Sequence, residues 1–208
     1  MTPVYHFDIA QGSAEWLALR ADKWTSSNAA VIMGGLETEG LKSLIKDVAW
    51  ARVYGYDDTA SNWKSPAMQR GNDLEDEAIE RYCFENDVVF ERCGFVQHGE
   101  LPNVAWSPDA ISLSRRIGLE IKNPLHRAYM DCMKQQKIPS AYRWQCRWGM
   151  WAGGLDGLVF VYNHPKARQI VIPAELTAED IEQMAERVHL LEKRVDEWIE
   201  IIGNEETE

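Results

Sequence analysis

Three side chains near the middle of the sequence have the types and spacing that hydrolytic chemistry needs. Ser107-Pro108-Asp109 is followed, after ten residues, by Glu120-Ile121-Lys122. Asp109 opens the apolar segment Ala110-Ile111-Ser112-Leu113, and Glu120 and Lys122 lie two apart on a second one, Gly118 to Lys122. On a strand, residues i and i+2 share a face, so Glu120 and Lys122 point the same way while Ile121 points into the opposite layer. A hairpin would bring Asp109 alongside them. Two converging carboxylates repel unless something neutralises them. With no histidine or cysteine inside the motif, the chemistry that fits is a hard divalent cation with oxygen ligands, Mg2+ or Mn2+. A neighbouring lysine can orient or help deprotonate an attacking water, or neutralise charge on a transferring phosphoryl group, as phosphodiester hydrolysis requires. The same trio also reads as a strand-edge ion-pair group, and P-D-x10-E-x-K alone leaves both readings open.

The elements that must position these residues follow from periodicity and end signals. Ser13 to Arg20 predicts a short helix with Ser13 as N-cap, Glu15 in the first turn and Arg20 at the end. A second helix is expected to start at Thr25-Ser26-Ser27-Asn28 and run to Gly34-Gly35, and a third to span Leu41 to Tyr54 before Gly55. Leu74, Ala78, Ile79 and Tyr82 predict a long amphipathic helix over Met68 to Phe84. The period then changes. Val88–Arg92, Gly94–Gln97, Ala110–Leu113 and Gly118–Lys122 predict the strands of a meander, and Gly157–Tyr162 and Gln169–Ile172 predict two more, the last ended by Pro173. A helix over Ala141 to Ala152 and a long acidic one over about 178–202 complete the chain. The order predicts an α/β (α+β) fold with a central mixed sheet flanked by helices. Length, the absence of an internal repeat and the absence of a linker predict a single domain over 1–208, with Gly55 to Ser65 as a polar surface loop.

Composition bounds the function classes. Hydrophobic residues at 45% and charged residues at 26% are those of an ordinary globular protein and exclude low-complexity readings. No run approaches a membrane span, and the N-terminus lacks a basic-then-apolar leader, so a cytoplasmic location without a membrane partner is expected. Cys83, Cys93, Cys132 and Cys146 show no C-x-x-C spacing, and a zinc site or disulfide framework has no support. The net charge of −11 argues against nucleic acid at face value, but the charge is unevenly distributed. Twelve of the 33 acids and only three of the 22 bases fall in residues 175–208, so 21 acids face 19 bases in the rest. Such a body can carry a local basic face, and Arg115, Arg116, Lys122, Arg127, Lys134, Lys137, Arg143 and Arg147 form a run that permits a polyanion ligand.

The Asp109 to Lys122 segment resembles the catalytic signature of the PD-(D/E)XK nuclease superfamily. Four further segments resemble one branch of it, the phage lambda exonuclease or YqaJ-type alkaline exonucleases. They are Gly12-Ser13-Ala14-Glu15-Trp16-Leu17-Ala18-Leu19-Arg20, Thr25-Ser26-Ser27, Arg70-Gly71-Asn72-Asp73-Leu74-Glu75, and Tyr142-Arg143-Trp144-Gln145-Cys146-Arg147-Trp148-Gly149-Met150-Trp151. The resemblance implies a restriction-endonuclease-like core. It assigns Asp109, Glu120 and the backbone carbonyl of Ile121 as metal ligands, Lys122 as partner of the nucleophilic water, Glu75 as the acid of a second metal position, and Gln145 as a contact to the active centre. Arg20, Ser27 and Ser107 match a pocket for a 5′-phosphate, and Met68 a position where an apolar wedge can meet the terminal base pairs. On residue type alone, Glu75 reads as a solvated helix acid, Ser107 as a turn serine, Met68 as a core methionine, and Trp144, Trp148 and Trp151 as core or interface. Ala21-Asp22-Lys23-Trp24 departs from the branch by being bulkier and more polar than expected.

The function so implied is a two-Mg2+ 5′→3′ exonuclease, with Mn2+ a plausible substitute. It would digest one strand of double-stranded DNA ends to 5′-mononucleotides and leave 3′ overhangs for phage-type recombination. A ring-shaped homotrimer, a single-strand annealing partner and a phage or prophage origin in a bacterial cell are expectations of the same kind, and the acidic C-terminal helix is expected to lie outside, away from DNA. The rivals are a PD-(D/E)XK endonuclease of restriction type, an iron–sulfur relative for which the cysteines supply no set of four ligands, and a catalytically inert DNA-end-binding module.

Overall fold

The computed structural model describes residues 2–56 and 74–205. Its strands are β1 (Val4–His6), β2 (Trp24–Thr25), β3 (Phe95–Gln97), β4 (Val104–Trp106), β5 (Ala110–Ser112), β6 (Ile117–Lys122), β7 (Gly157–Tyr162) and β8 (Ile170–Ala174). Its helices are α1 (Ala14–Ala21), α2 (Ala29–Ile32), α3 (Glu39–Tyr54), α4 (Glu75–Asn86), α5 (His126–Gln135), α6 (Ser140–Ala152) and α7 (Ala178–Glu205), with a 3-10 turn at Ser26–Asn28.

The mixed sheet flanked by helices is present, divided into two four-stranded sheets of order β1-β3-β4-β2 and β5-β6-β7-β8. In the second, β5 and β6 form the expected hairpin with Ala110 opposite Leu119, β6 runs parallel to β7, and β7 pairs antiparallel with β8. Continuing the hairpin register by one residue sets Asp109 beside Glu120.

Several boundaries differ from the sequence expectation for identifiable reasons. Val88 to Arg92 is no strand. After α4 the chain turns at Asp87 in the left-handed region (φ 50°), Val88 donates back to the Cys83 carbonyl, Val89 stays exposed, and Glu91 makes an isolated bridge with Ile111. Pro173 lies inside β8, opposite Val159, which an edge strand tolerates because a proline there removes no ladder donor. The Thr25 cluster makes a 3-10 turn, and α2 ends at Ile32, short of Gly34. The expected helix start at Met68 and most of the Gly55 to Ser65 loop lie outside the described residues, and α4 begins at Glu75.

Three tryptophans fix how the layers meet. Trp24, Trp106 and Trp148 are fully buried, and Trp148 donates from Nε1 to the carbonyl of Ala105 on β4 at 3.1 Å. Trp106 lies where side chains at Gly118 of β6 and Gly149 of α6 would have to be, since a Cβ would come within 2.5 Å and 2.8 Å of its ring. These two glycines let α6 and β6 approach one tryptophan from two sides, bringing the helix of Gln145 onto the strand of Glu120. On the other face of β6, Leu119 and Ile121 pack with Ala78, Ile79 and Tyr82 of α4.

Helix α7 buries Met184, Val188, Leu191 and Val195, a stripe at helical spacing, and packs along α3. Its attachment is also polar. Glu192 receives a fork from Arg52 of α3, two bonds of 2.8 Å, and the Trp24 indole N–H at 2.5 Å. All four cysteines are free thiols, and no helix among the described residues is long and apolar enough to cross a membrane.

Candidate active site

The site is built around the end of β6. Glu120 is 1% exposed, and its Oε1 accepts from Lys122 Nζ at 2.5 Å and from Gln145 Nε2 at 2.5 Å. Strand alternation puts Lys122 on the same face as Glu120, and α6 brings Gln145 over that face. One turn earlier on α6, the Tyr142 ring lies under the ammonium of Lys122, 5.6 Å to the centroid. Glu120 Oε2 is buried and has no hydrogen-bond partner among the described residues.

Asp109 enters from the other strand of the hairpin. Its Oδ2 accepts the Ile121 amide at 2.5 Å, a bond across the ladder that ties the carboxylate to the strand carrying its neighbour. Burial, and next the charge of Glu120, push its carboxyl well above the usual carboxylate range, against the opposing pull of Lys122, the Ile121 amide and Arg92. Burial alone would lower Lys122, but the Glu120 and Asp109 carboxylates overcome it and raise its pKa.

Glu75 reaches the same centre from the first turn of α4. Burial and the Asp109 charge raise its carboxyl, while Arg92 and Lys122 work in the other direction. Arg92 is a group that pattern reading missed. Its Nη1 donates to Glu75 Oε1 at 2.6 Å and to the Asp109 backbone carbonyl at 2.8 Å, and its Nη2 donates to Asp76. An arginine in a loop has no periodic signal, and only the approach of α4 to the start of β5 gives it these partners.

A second cluster stands at the other end of Ser107-Pro108-Asp109. Arg20 Nη2 donates to Ser27 Oγ at 2.6 Å and lies 3.4 Å from Thr25 Oγ1, and its guanidinium stacks 4.1 Å over the Trp16 ring. The Trp16 indole N–H bonds Ser107 Oγ and the Gly94 carbonyl, both at 3.0 Å. Arg20, Ser27 and Ser107 are therefore joined through Trp16 and Thr25, which sequence reading did not select. Helix α1 supplies Trp16 and Arg20 from one face (i, i+4), with Ser13 capping its start. Burial pulls the Arg20 guanidinium down to about 10. Met68 lies outside the described residues.

The donor set can be tested against a divalent cation. Among the described residues, no three His, Cys, Asp or Glu side chains stand close enough to form a finished metal group. The chemistry fits all the same: every acid is a hard oxygen donor, Asp109 and Glu120 repel across a short gap, and a carboxylate oxygen of Glu120 is buried without a partner among the described residues. Trp148 and Trp151 are core, as expected, and the Cys146 thiol, next to Gln145, is pushed well up by burial and is inert.

The fold is shared with solved structures. An alkaline exonuclease from Laribacter hongkongensis, LHK-Exo, superposes with a TM-score of 0.82 at 22% identity, over 94% of this chain and 98% of that one, and its complex with dAMP gives the same values. A phage-related exonuclease from Haemophilus somnus 129PT superposes with a TM-score of 0.65 at 17% identity, over 86% of this chain and 96% of the other. No curated protein matches the sequence. The family model of the YqaJ-like viral recombinase domain matches residues 15–156, which is more than half of the sequence and takes in the Asp109, Glu120, Lys122, Glu75 and Gln145 centre together with the Arg20 cluster, and the chain belongs to that family.

Proposed function

We propose that the protein is a divalent-metal-dependent exonuclease that degrades one strand of duplex DNA from a 5′-phosphorylated end, releasing 5′-mononucleotides and leaving 3′ overhangs for recombination by strand annealing. The observation that carries this reading is the buried oxygen of Glu120, without a partner among the described residues, beside Asp109, with Lys122 and Gln145 fixing the other oxygen. Membership in a viral recombinase family and a fold shared with two exonucleases support it. One of those, LHK-Exo, has been crystallised with dAMP, a mononucleotide of the class such a reaction releases.

Asp109, Glu120, Glu75 and the Ile121 carbonyl would hold two Mg2+ or Mn2+ ions, which supply Lewis acidity toward a water and a phosphoryl oxygen. The chain's own groups do the rest. Gln145 and Lys122 hold Glu120 in one rotamer, so its second oxygen keeps a fixed aim. Lys122, with its ammonium over the Tyr142 ring, can orient the attacking water and neutralise charge on the phosphate. Attack of the water would form a new P–O bond and break the P–O3′ bond; the water gives up a proton to solvent, and the departing 3′-oxygen takes one from solvent. Arg20, with Ser27 and Ser107, would hold the 5′-phosphate through a guanidinium fork and hydroxyls. Pro108 alone then separates Ser107, at the terminal phosphate, from Asp109, at the scissile one. The chain would act as one nuclease domain over 1–208, as a ring-shaped homotrimer around DNA working with a single-strand annealing protein inside a phage-infected or lysogenic bacterium.

The test is release of acid-soluble nucleotides from linear duplex DNA with Mg2+ or Mn2+. It compares 5′-phosphate with 5′-hydroxyl ends, and the wild type with Lys122→Ala. Faster digestion of phosphorylated ends, lost in the variant, is expected. Equal cutting of covalently closed circles would move the reading to an endonuclease, and DNA binding without release would move it to an end-binding module.

A further inference from the structure

Helix α4 and strand β5 each bring one acid to the centre, and one side chain spans the two. Arg92 Nη1 donates both to Glu75 Oε1 (2.6 Å) and to the backbone carbonyl of Asp109 (2.8 Å), while Nη2 donates to Asp76, next to Glu75 on the first turn of α4. The backbone that carries Arg92 is itself fixed. Its neighbour Glu91 exchanges two 2.8 Å bonds with Ile111 of β5, and Cys93 on the other side is buried. The guanidinium therefore projects from a braced point of chain onto both acid-bearing elements. A planar fork suits three acceptors arranged in this way, which a lysine ammonium on a flexible stem does not. It takes only one oxygen of Glu75, leaving Oε2 free of Arg92.

We propose that Arg92 is a positioning residue that holds Glu75 in register with Asp109, so that Glu75 can serve a second cation. This rests on the two-cation reading above. The geometry separates it from a simple surface ion pair, because one nitrogen is shared between a side chain and the main chain of the opposing element. A carboxylate ligand is oriented by the donors around it, and loss of such a partner weakens metal affinity about 10–100-fold.

The experiment is calorimetric titration of the full chain with Mn2+ in the absence of DNA, for the wild type, Arg92→Ala, Arg92→Lys and Asp109→Asn, with melting temperature and steady-state digestion measured alongside. The wild type is expected to bind two ions. Arg92→Ala should keep the tighter one, weaken the other about 10–100-fold, and lower kcat with KM for DNA ends unchanged. Arg92→Lys should recover part of both losses, and it serves as the readable variant if the alanine form does not fold. Unchanged binding of the second ion, with or without a lower melting temperature, would overturn the proposal and leave Arg92 a structural tie. Tighter binding in Arg92→Ala would also overturn it, by showing that the guanidinium competes with the cation. Failure of the two-cation reading looks different: the wild type then binds no second ion, or Asp109→Asn titrates like the wild type, and the proposal falls with it.

Discussion

The acidic centre and the Arg20 cluster are joined by three residues of chain, Ser107-Pro108-Asp109, yet they stand in opposite electrostatic conditions. At the centre, carboxylates crowd one another: Asp109 is raised by burial and by Glu120, Glu75 by burial and by Asp109, and a Glu120 oxygen has no donor among the described residues. Around Arg20, a cation is satisfied by hydroxyls and an aromatic face, its only strain being desolvation. On the proposed function the first is an arrangement that a cation would complete. The second is complete already and can only exchange its hydroxyl contacts for stronger ones to an anion. On the proposed function the difference would separate chemistry from recognition, and substitutions at the two ends should separate kcat from KM.

The largest effects belong to the acidic centre. Lys122→Ala should lower kcat about a hundred- to ten-thousand-fold, the range for loss of a group acting on the proton economy of a transition state, with little change in KM. Asp109→Asn should abolish digestion while raising the melting temperature of the metal-free protein at pH 8 by about 2–4 °C, because it removes a buried like charge and keeps an acceptor for the Ile121 amide. A melting temperature that falls instead would show that the centre is a stabilising ion-pair group.

Next in size is the Arg20 cluster. Arg20→Ala removes a charge-assisted contact to a phosphate, about 1.5–3 kcal/mol, so KM for 5′-phosphorylated ends should rise about 10–100-fold while 5′-hydroxyl ends are digested as before. An equal loss on both kinds of end would place Arg20 in folding and break the comparison. A smaller change is expected from Gln145→Leu. It removes one of the two donors to Glu120 Oε1 and leaves Lys122 in place, so kcat should fall about tenfold at unchanged KM in the same assay.

The parts of this architecture that were legible in the sequence are those that local geometry dictates. Glu120 and Lys122 share a face because a strand alternates, and the hairpin that brings up Asp109 follows from two apolar runs with a short break. Glu75 and Gln145 could be selected only through a resemblance, since an acid in an acidic first turn and a glutamine among tryptophans carry no local signal. Arg92 was missed because its partners lie on other elements and no spacing encodes an approach between α4 and β5; Trp16 and Thr25 are sequence neighbours of Arg20 and Ser27, but the Trp16 indole bonds to Gly94 and Ser107 come from distant chain that no local pattern points to. The three-residue strands β1 and β4 are too short for a period to show. Helix α5 was missed for a different reason. Only Tyr129 and Cys132 are buried along ten residues, and its other apolar residues face outward.

The smallest effect on activity, and the control for all the others, lies at Glu192, which bonds Arg52 and Trp24 and none of the residues assigned to either site. Burial would raise the carboxyl of Glu192, but the Arg52 fork and the Trp24 indole overcome it and hold the pKa below the ordinary value. A depressed folded-state value means that the contribution to stability is present above the unfolded glutamate pKa, about 4.3, and is lost as pH falls through the folded value. Glu192→Gln keeps an acceptor for the indole and loses the charge facing Arg52. It should cost about 2 kcal/mol at pH 7, a melting temperature lower by about 4–8 °C. The gap to wild type should close progressively below about pH 4, where the wild-type carboxyl also becomes neutral. Digestion at 25 °C should be unchanged for both kinds of DNA end. A shift in kcat or in end preference would show that the α3–α7 contact is coupled to the centre, and the contrast between the acidic centre and the Arg20 cluster would then have to be drawn within a larger cooperative unit.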